Sequence, residues 1–507
     1  MNRKVRKVVI VGGGSAGWMT AAALSRHSGK LFDIELVESE EIGTVGVGEA
    51  TIPSIVEFNR SLKLDEAEFM RATQATVKLA IQFDDWLRPG HSYMHPFGFF
   101  GVEMEGVPFH HFWARYRAQG GTLPYDAFNQ NTIAARAGKF GRATDRLPLP
   151  QLGYAFHFDA GLYAAFLRKM AEGLGVKRIE GRVVDVQQNG EDGFIESVKL
   201  QDGRVVAGDF FIDCSGFRGL LIEQALKAGY EDWTHYLPCD RAMAVPCDRV
   251  DPTTAYTRAS AREAGWQWRI ALQHRTGNGY VYCSGFLSDD EASTKLLSRL
   301  DGKAQAVPRP LRFVTGRRKE IWKKNCVAIG LSSGFLEPLE STSIHLILTA
   351  IKRLLFLFPG DGFDPATIEK FNALSRAEVE EVRDLLVFHY TATERDDTEF
   401  WRHCRSIPRP DSLRQRLEMY ERNGNIVLMP NEMFREPSWF SVMTGQGVTP
   451  RSWHPFVQIT PDEELARRFD LMAGDVVKRV QGLPTHDEFI RLYCAAPMME
   501  RPMMEKK

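Results

Sequence analysis

A usable cysteine pattern is the first thing this chain lacks. Its seven cysteines, at 214, 239, 247, 283, 326, 404 and 494, are odd in number and show no CxxC spacing. Neither a disulfide framework nor a cysteine-based metal site is expected, and the set reads as reduced thiols of a cytoplasmic protein. Histidine offers no metal site either, because His110-His111 is an isolated pair without ligand spacing. A dominant charge is missing too. The 64 Lys and Arg stand against 65 Asp and Glu, for a net charge of -1, which leaves no electrostatic reason for nucleic acid or an anionic membrane as partner. Long apolar runs are absent: the most apolar late segment, 344–358, is interrupted by Lys352 and Arg353, so no membrane span is expected. The basic start, Met1 to Lys7, leads into an apolar run too short for a signal peptide. Repeats and low-complexity linkers do not occur.

What the chain does have is glycine after short apolar runs. Val8 to Val11 enter Gly12-Gly13-Gly14-Ser15-Ala16-Gly17, and a helix-like stretch follows from Trp18 to Leu24. Strand, tight turn and helix in that order bring the backbone close to a pyrophosphate, whose charge sits against free N–H groups at the helix start. A second strand, Ile34 to Val37, ends at Glu38, where an acid accepts hydrogen bonds from an adenosine ribose. Gly12, Gly14, Ser15, Ala16, Gly17 and Glu38 are therefore candidate dinucleotide contacts, with nicotinamide and flavin both open. From 176 to 213, β-rich runs are divided by the hairpin dipeptides Asn189-Gly190 and Asp202-Gly203. That region ends in a strand running into glycines, Asp209 to Gly219, and a third such element, Cys326 to Gly330, leads to Leu331 and Gly334. Beyond about residue 350 the pattern turns mainly helical. A chain of 507 residues has room for two or three domain-sized cores.

Three places carry residues able to do chemistry. Around Lys78, Val77, Leu79, Ile81 and Phe83 alternate with Lys78, Ala80 and Gln82. This is a strand period, and taken alone it makes Lys78 a solvent-facing lysine. Glu340 precedes a helix whose apolar face reads Ile344, Ile347, Leu348, Ile351 and Leu355, with Ser341, Thr342 and Ser343 as N-cap residues. Taken alone, Glu340 complements the helix dipole. Trp266 and Trp268, separated by Gln267, taken alone are core packing.

The ordered combination of Gly12-x-Gly14-x-x-Gly17, Gly46-Val47-Gly48-Glu49-Ala50-Thr51, Thr76-Val77-Lys78-Leu79, Trp266-x-Trp268-x-Ile270 and Phe335-x-x-Pro338-x-x-Ser341 resembles the tryptophan-halogenase family of flavin-dependent halogenases. The resemblance runs from residue 8 to about 350 and loosely to 455. It implies an α/β fold: a Rossmann-like FAD-binding box related to aromatic hydroxylases, joined to a mainly helical pyramid that closes over the substrate. The box is expected over 1–350, with an interleaved sheet region and an insert at roughly 100–150 directed towards substrate. Residues 351–507 are expected to enclose the substrate and to offer contacts for a homodimer. Gly48, Glu49, Ala50, Leu331 and Gly334 join the cofactor contacts. Leu331 replaces the Asp that many flavoproteins place there.

The chemistry implied is two-component. A separate flavin reductase supplies reduced FAD, oxygen forms a C4a-hydroperoxide, and chloride or bromide attacks it to give hypohalous acid. That acid reaches Lys78, which aims the halogen as a haloamine or through a hydrogen bond. Glu340 orients the halogenating species and takes the ring proton. Thr342 and Ser343, at the helix start, suit the halide. Trp266, Trp268 and Ile270 form the barrier between flavin and substrate, and His95 and Phe97 line the indole site. The alternatives are an FAD-dependent aromatic monooxygenase, disfavoured by the tryptophan pair and Lys78, and a non-catalytic flavin-binding protein, disfavoured by the presence of both Lys78 and Glu340.

The chain departs from the family pattern in several places. Ala271 stands where the tryptophan motif usually ends in proline, which is expected to loosen this loop and add an N–H. Ser343 stands where the later motif has glycine, which is expected to alter the backbone at the halide contact. Where tryptophan-halogenating members carry a tyrosine pair, this chain has Trp439 and Phe440. Loss of the two phenol hydroxyls is expected to shift binding from free tryptophan to indole or an indole derivative, at about 1.5–3 kcal/mol per charged hydrogen bond lost.

Overall fold

The computed structural model describes residues 4–41, 48–142 and 151–497. Gly46 and Val47 of the second motif, and the last part of the expected insert, lie outside these. The β-branched run at the start forms the strand Lys7–Val11, and Val8 to Val11 are wholly or nearly wholly buried, as expected of a strand covered on both faces. It lies inside a six-stranded sheet ordered Trp322–Lys323, Cys326–Ala328, Phe210–Asp213, Lys7–Val11, Asp33–Glu38, Lys177–Glu180. All pairings are parallel except the first. The three strand-into-glycine elements read from the sequence thus stand side by side, Cys326–Ala328 next to Phe210–Asp213 next to Lys7–Val11. The helix Ser15–Ser28 leaves the glycine turn and packs against Ala160–Gly173 and Ser343–Phe356. The fold is a mixed α/β fold with a Rossmann-like sheet.

A second sheet of seven strands is ordered Arg309–Arg312, Arg241–Asp248, Arg275–Tyr282, Gly265–Ala271, Tyr256–Arg262, Ala80–Asp84, Ser92–Pro96. A small sheet joins Gly48–Ala50, Ala155–Asp159 and Thr76–Lys78. The period-2 stretch around Lys78 is therefore two strands of different sheets. The chain changes sheets at Leu79, whose N–H donates to the Ala255 carbonyl while its own carbonyl accepts from Phe97. Lys78 is the last residue before the crossing.

Beyond residue 350 the regular structure is helical, including Pro365–Thr391, Glu436–Gly445, Asp462–Gln481 and His486–Tyr493. Among the described residues, no helix is long and apolar enough to cross a membrane, and no group of three or more His, Cys, Asp or Glu could hold a metal ion.

Candidate active site

The glycine turn opens one wall of a cavity of about 800 Å³, within the roughly 300–1,000 Å³ of ligand pockets. A Cβ on Gly12 would lie 2.2 Å from the Cys214 carbonyl oxygen, and one on Gly17 would lie 1.8 Å from the Gly12 oxygen. These two glycines let the turn, the next strand and the helix close on one another. Gly14 differs: a Cβ there would meet nothing within 4 Å, because it faces the cavity. Gly12, Gly14, Ser15, Ala16, Glu38, Gly48, Glu49, Ala50, Leu331 and Gly334 all line that cavity, whereas Gly17 does not. Glu38 shares its carboxylate between Arg178 and the Trp18 indole N–H. Burial pushes the Glu49 carboxyl up to about 7.

Trp266, Trp268 and Ile270 line the far part of the same cavity. They sit on the strand Gly265–Ala271, hydrogen-bonded to neighbours on both sides. The expectation of a loosened loop is corrected here. Period-2 alternation through this segment builds a central strand, and Ala271 ends it with its carbonyl held by the Thr76 hydroxyl at 2.6 Å. The two indole rings lie 6.1 Å apart. The Trp266 N–H donates to Glu337 Oε2 at 2.8 Å, and the Tyr390 hydroxyl donates to the same oxygen at 2.6 Å.

Lys78 is fully buried, the opposite of what strand periodicity alone suggests. Its Nζ donates to the Thr51 carbonyl at 3.0 Å and to the Ser341 hydroxyl at 2.7 Å, and lies 5.4 Å from the centre of the half-buried Phe97 ring. Burial pulls its pKa down to about 7 even though Glu340 opposes the shift. Glu340 closes the short helical turn Pro338–Glu340 and is 1% exposed. His95 Nδ1 lies 2.8 Å from one of its oxygens and His389 Nε2 lies 2.7 Å from the other. Burial alone would raise this carboxyl, but the two imidazoles outweigh it and hold it at about 2. Behind His389 stands the Tyr93 hydroxyl, 3.0 Å from Nδ1. Neither Lys78 nor Glu340 lines the large cavity.

Ser341 adopts a left-handed conformation, φ 59° and ψ 37°, which turns its hydroxyl to Lys78. Thr342 then caps the helix Ser343–Phe356 without a side-chain hydrogen bond, and its buried hydroxyl has no partner. The expected side-chain capping is not found; the left-handed turn at Ser341 carries the chain into the helix instead. Ser343 is helical and lines the cavity, so the position read as a glycine site needs no glycine conformation in this chain.

Trp439 and Phe440, expected to offer aromatic surface to the substrate, are each 1% exposed and pack among protein side chains. The Trp439 N–H donates to Glu432 at 2.9 Å beneath the Arg416 guanidinium. Phe440 is enclosed by Phe100, Phe109, Trp113 and Tyr125. Their helix serves the site indirectly, through a 2.8 Å bond from Ser441 to the Met94 carbonyl on the His95 strand. Sequence reading missed His389, Tyr93, Glu337 and Tyr390. The first and last are neighbours on Pro365–Thr391, and nothing in their local pattern marks them.

Comparison with known proteins decides the family. The tryptophan halogenase family model matches residues 7–462. This chain belongs to the tryptophan halogenase family. It is 39% identical to the tryptophan 6-halogenase SttH of Streptomyces toxytricini over 83% of this chain and 84% of that protein. Among solved structures, the flavin-dependent halogenase Xcc4156 of Xanthomonas campestris aligns at 47% identity with a TM-score of 0.95, covering 98% of this chain and 100% of that one. BrvH, a flavin-dependent halogenase of Brevundimonas sp. BAL3, aligns at 44% identity and 0.93 over the same shares. The family is one of FAD-dependent enzymes that consume oxygen and halide, are served by a separate flavin reductase, and act on aromatic substrates. The chain is therefore a flavin-dependent halogenase by class.

Proposed function

We propose that this halogenase places halogen on a neutral indole or indole derivative, with Lys78 delivering the halogen and Glu340 receiving the ring proton. The observation that carries this is the buried Lys78 amine, fixed between Thr51 and Ser341 beside a carboxylate that His95 and His389 keep ionised. FAD fits the large cavity, where Gly14 leaves room for a pyrophosphate and Gly12, Ser15, Ala16 and Glu38 stand ready beside it. When bound and reduced there, it supplies with oxygen the oxidising equivalents that turn halide into hypohalous acid. The unpartnered Thr342 hydroxyl and the free N–H groups at the start of its helix suit the halide.

Trp266 and Trp268 keep the arene from the cofactor side, and Trp266 is anchored for that purpose by Glu337. With a pKa near 7, Lys78 can hold hypohalous acid and give up a proton to the departing oxygen as the ring carbon takes the halogen. The ring then loses its proton to Glu340, so arene and hypohalous acid become haloarene and water. A cationic ring intermediate is a strong acid, so a carboxylate at about 2 is base enough. The half-buried Phe97 ring beside Lys78 offers a flat apolar surface for the arene.

The preference for a neutral arene rests on how the nearby charges are used. Both Glu340 oxygens are taken by histidines, and Glu432 is taken by Arg416 and Trp439. Neither carboxylate is free to receive the ammonium of an amino acid, and burying an unpaired charge is strongly unfavourable. Competition of indole with tryptophan at equal concentration, with reductase, FAD, NADH and bromide and mass-spectrometric detection, tests the proposal. Haloindole should dominate; a clear preference for tryptophan would refute it.

A further inference from the structure

The strand that ends in Lys78 is three residues long and is paired along one edge by Ala155–Asp159. Its other edge is closed from the far end of the chain. The Val77 backbone N–H donates to His486 Nε2 at 3.0 Å, and His486 Nδ1 lies 3.1 Å from the Thr253 carbonyl. A carbonyl only accepts, so the imidazole proton sits on Nδ1 and Nε2 keeps the lone pair that Val77 needs. The ring is 1% exposed. Burial pulls its pKa down to about 4, against the Thr253 carbonyl and Asp487 and together with Arg249. The neutral tautomer that the geometry demands is thus the one present at working pH.

The closure continues along the same edge. Gln273 Nε2 donates to the Ala75 carbonyl at 2.7 Å and to the Cys494 carbonyl at 3.2 Å, while its Oε1 accepts from the Ala496 N–H at 2.8 Å. Gln74 Nε2 donates to the Pro497 carbonyl at 3.1 Å. Asp487, next to His486, accepts from the Thr253 N–H at 3.2 Å and from Arg249 at 3.1 Å. The helix His486–Tyr493 is itself started by a reciprocal Thr485/Glu488 cap. This whole segment lies beyond residue 462, where the family match ends.

We propose that His486 is a positioning residue for Lys78: bridging Val77 to Thr253, it fixes the short strand from which the Lys78 amine reaches Thr51 and Ser341. The proposal rests on the reading of Lys78 as the halogen-delivering residue. Without the bridge, the strand edge loses its anchor and the amine its register. Misplacement by about 1 Å at a reacting centre lowers rates by about 100-fold.

The test compares His486→Gln, whose amide can both accept from Val77 and donate to Thr253, with His486→Leu, which can do neither. The assay uses full-length protein with reductase, FAD, NADH, bromide and indole, and reads haloindole formed per reduced flavin oxidised. His486→Gln should stay close to wild type. His486→Leu should lose product per flavin by up to about 100-fold, with flavin oxidation and the KM for indole little changed and hypobromite captured by an added diketone trap. A merely structural role would not divert hypobromite from product to trap. Folded His486→Leu protein with wild-type coupling would overturn the proposal, as would His486→Gln falling as far as His486→Leu. If His486→Leu does not fold, His486→Phe, which keeps a ring but neither accepts from Val77 nor donates to Thr253, decides: a several-fold loss of coupling supports the proposal and wild-type coupling overturns it. Lys78→Ala runs alongside. Product retained by Lys78→Ala would refute the reading of Lys78 itself, whereas product lost there but kept by folded His486→Leu would refute the positioning role alone.

Discussion

Glu337 and Glu340 are three residues apart and both fully buried, yet their carboxyls are shifted in opposite directions. Glu340 is held at about 2 by two imidazoles, one on each oxygen. Glu337 is pushed up to about 7 by burial, because its donors, the Trp266 N–H and the Tyr390 hydroxyl, are both neutral and both fall on one oxygen. Both carboxyls are tied to the same helix through adjacent residues, His389 for Glu340 and Tyr390 for Glu337. The difference shows that partner chemistry, more than depth, sets the charge of a buried acid. One carboxyl is kept as an anion near Lys78; the other stays largely uncharged below neutral pH and holds the Trp266 indole.

The largest effect is expected at Lys78, the buried amine near Glu340. Lys78→Ala should abolish haloindole, by about 10⁴-fold, while reduced flavin is still oxidised and peroxide still appears; both are measured in one assay. Stability gives the next largest effect. The folded pKa of Lys78, about 7 against an ordinary 10.5, means that the folded state binds fewer protons than the unfolded state between those values, so stability rises with pH there and the penalty is complete below pH 7. Lys78→Met should therefore stabilise the protein by up to about 5 kcal/mol at pH 6 and progressively less towards pH 10, as read from denaturant unfolding.

Glu337 should show a smaller effect of the other sense. Its folded pKa, about 7 against an ordinary 4.5, makes stability fall as pH rises through that window. Glu337→Gln should match wild type below pH 4.5 and exceed it above pH 7 by up to about 3 kcal/mol. The smallest effect is expected at Ala271, the last residue of its strand. Ala271→Pro should stay folded and active, because a strand end tolerates proline; loss of product in a folded protein would contradict the account of that strand as the barrier's fixed support.

The dinucleotide turn was legible because local glycine chemistry dictates it, and the helix after Glu340 because its apolar residues recur at helical spacing. Lys78 and Glu340 were singled out only through resemblance: period-2 alternation around Lys78 spans two sheets, so the face it assigns has no single meaning. For Trp439 and Phe440 the sequence is silent on surroundings, because an aromatic pair in a helix carries no mark of whether it faces a ligand or a core. His389, Glu337 and His486 are hydrogen-bonded to partners 49, 71 and 409 positions away, and no local pattern encodes a contact of that kind.

The most direct test of the account sets Glu340→Gln beside Glu337→Gln and measures haloindole per reduced flavin oxidised at pH 7. Glu340→Gln removes the anion, and with it the base proposed for the ring proton, while keeping hydrogen-bonding capacity, and should lower this ratio by about 100-fold. Glu337→Gln keeps a neutral acceptor for Trp266 and Tyr390 and should leave the ratio near wild type. Equal losses in the two variants, or a larger loss at Glu337, would contradict the division of roles between the two carboxyls.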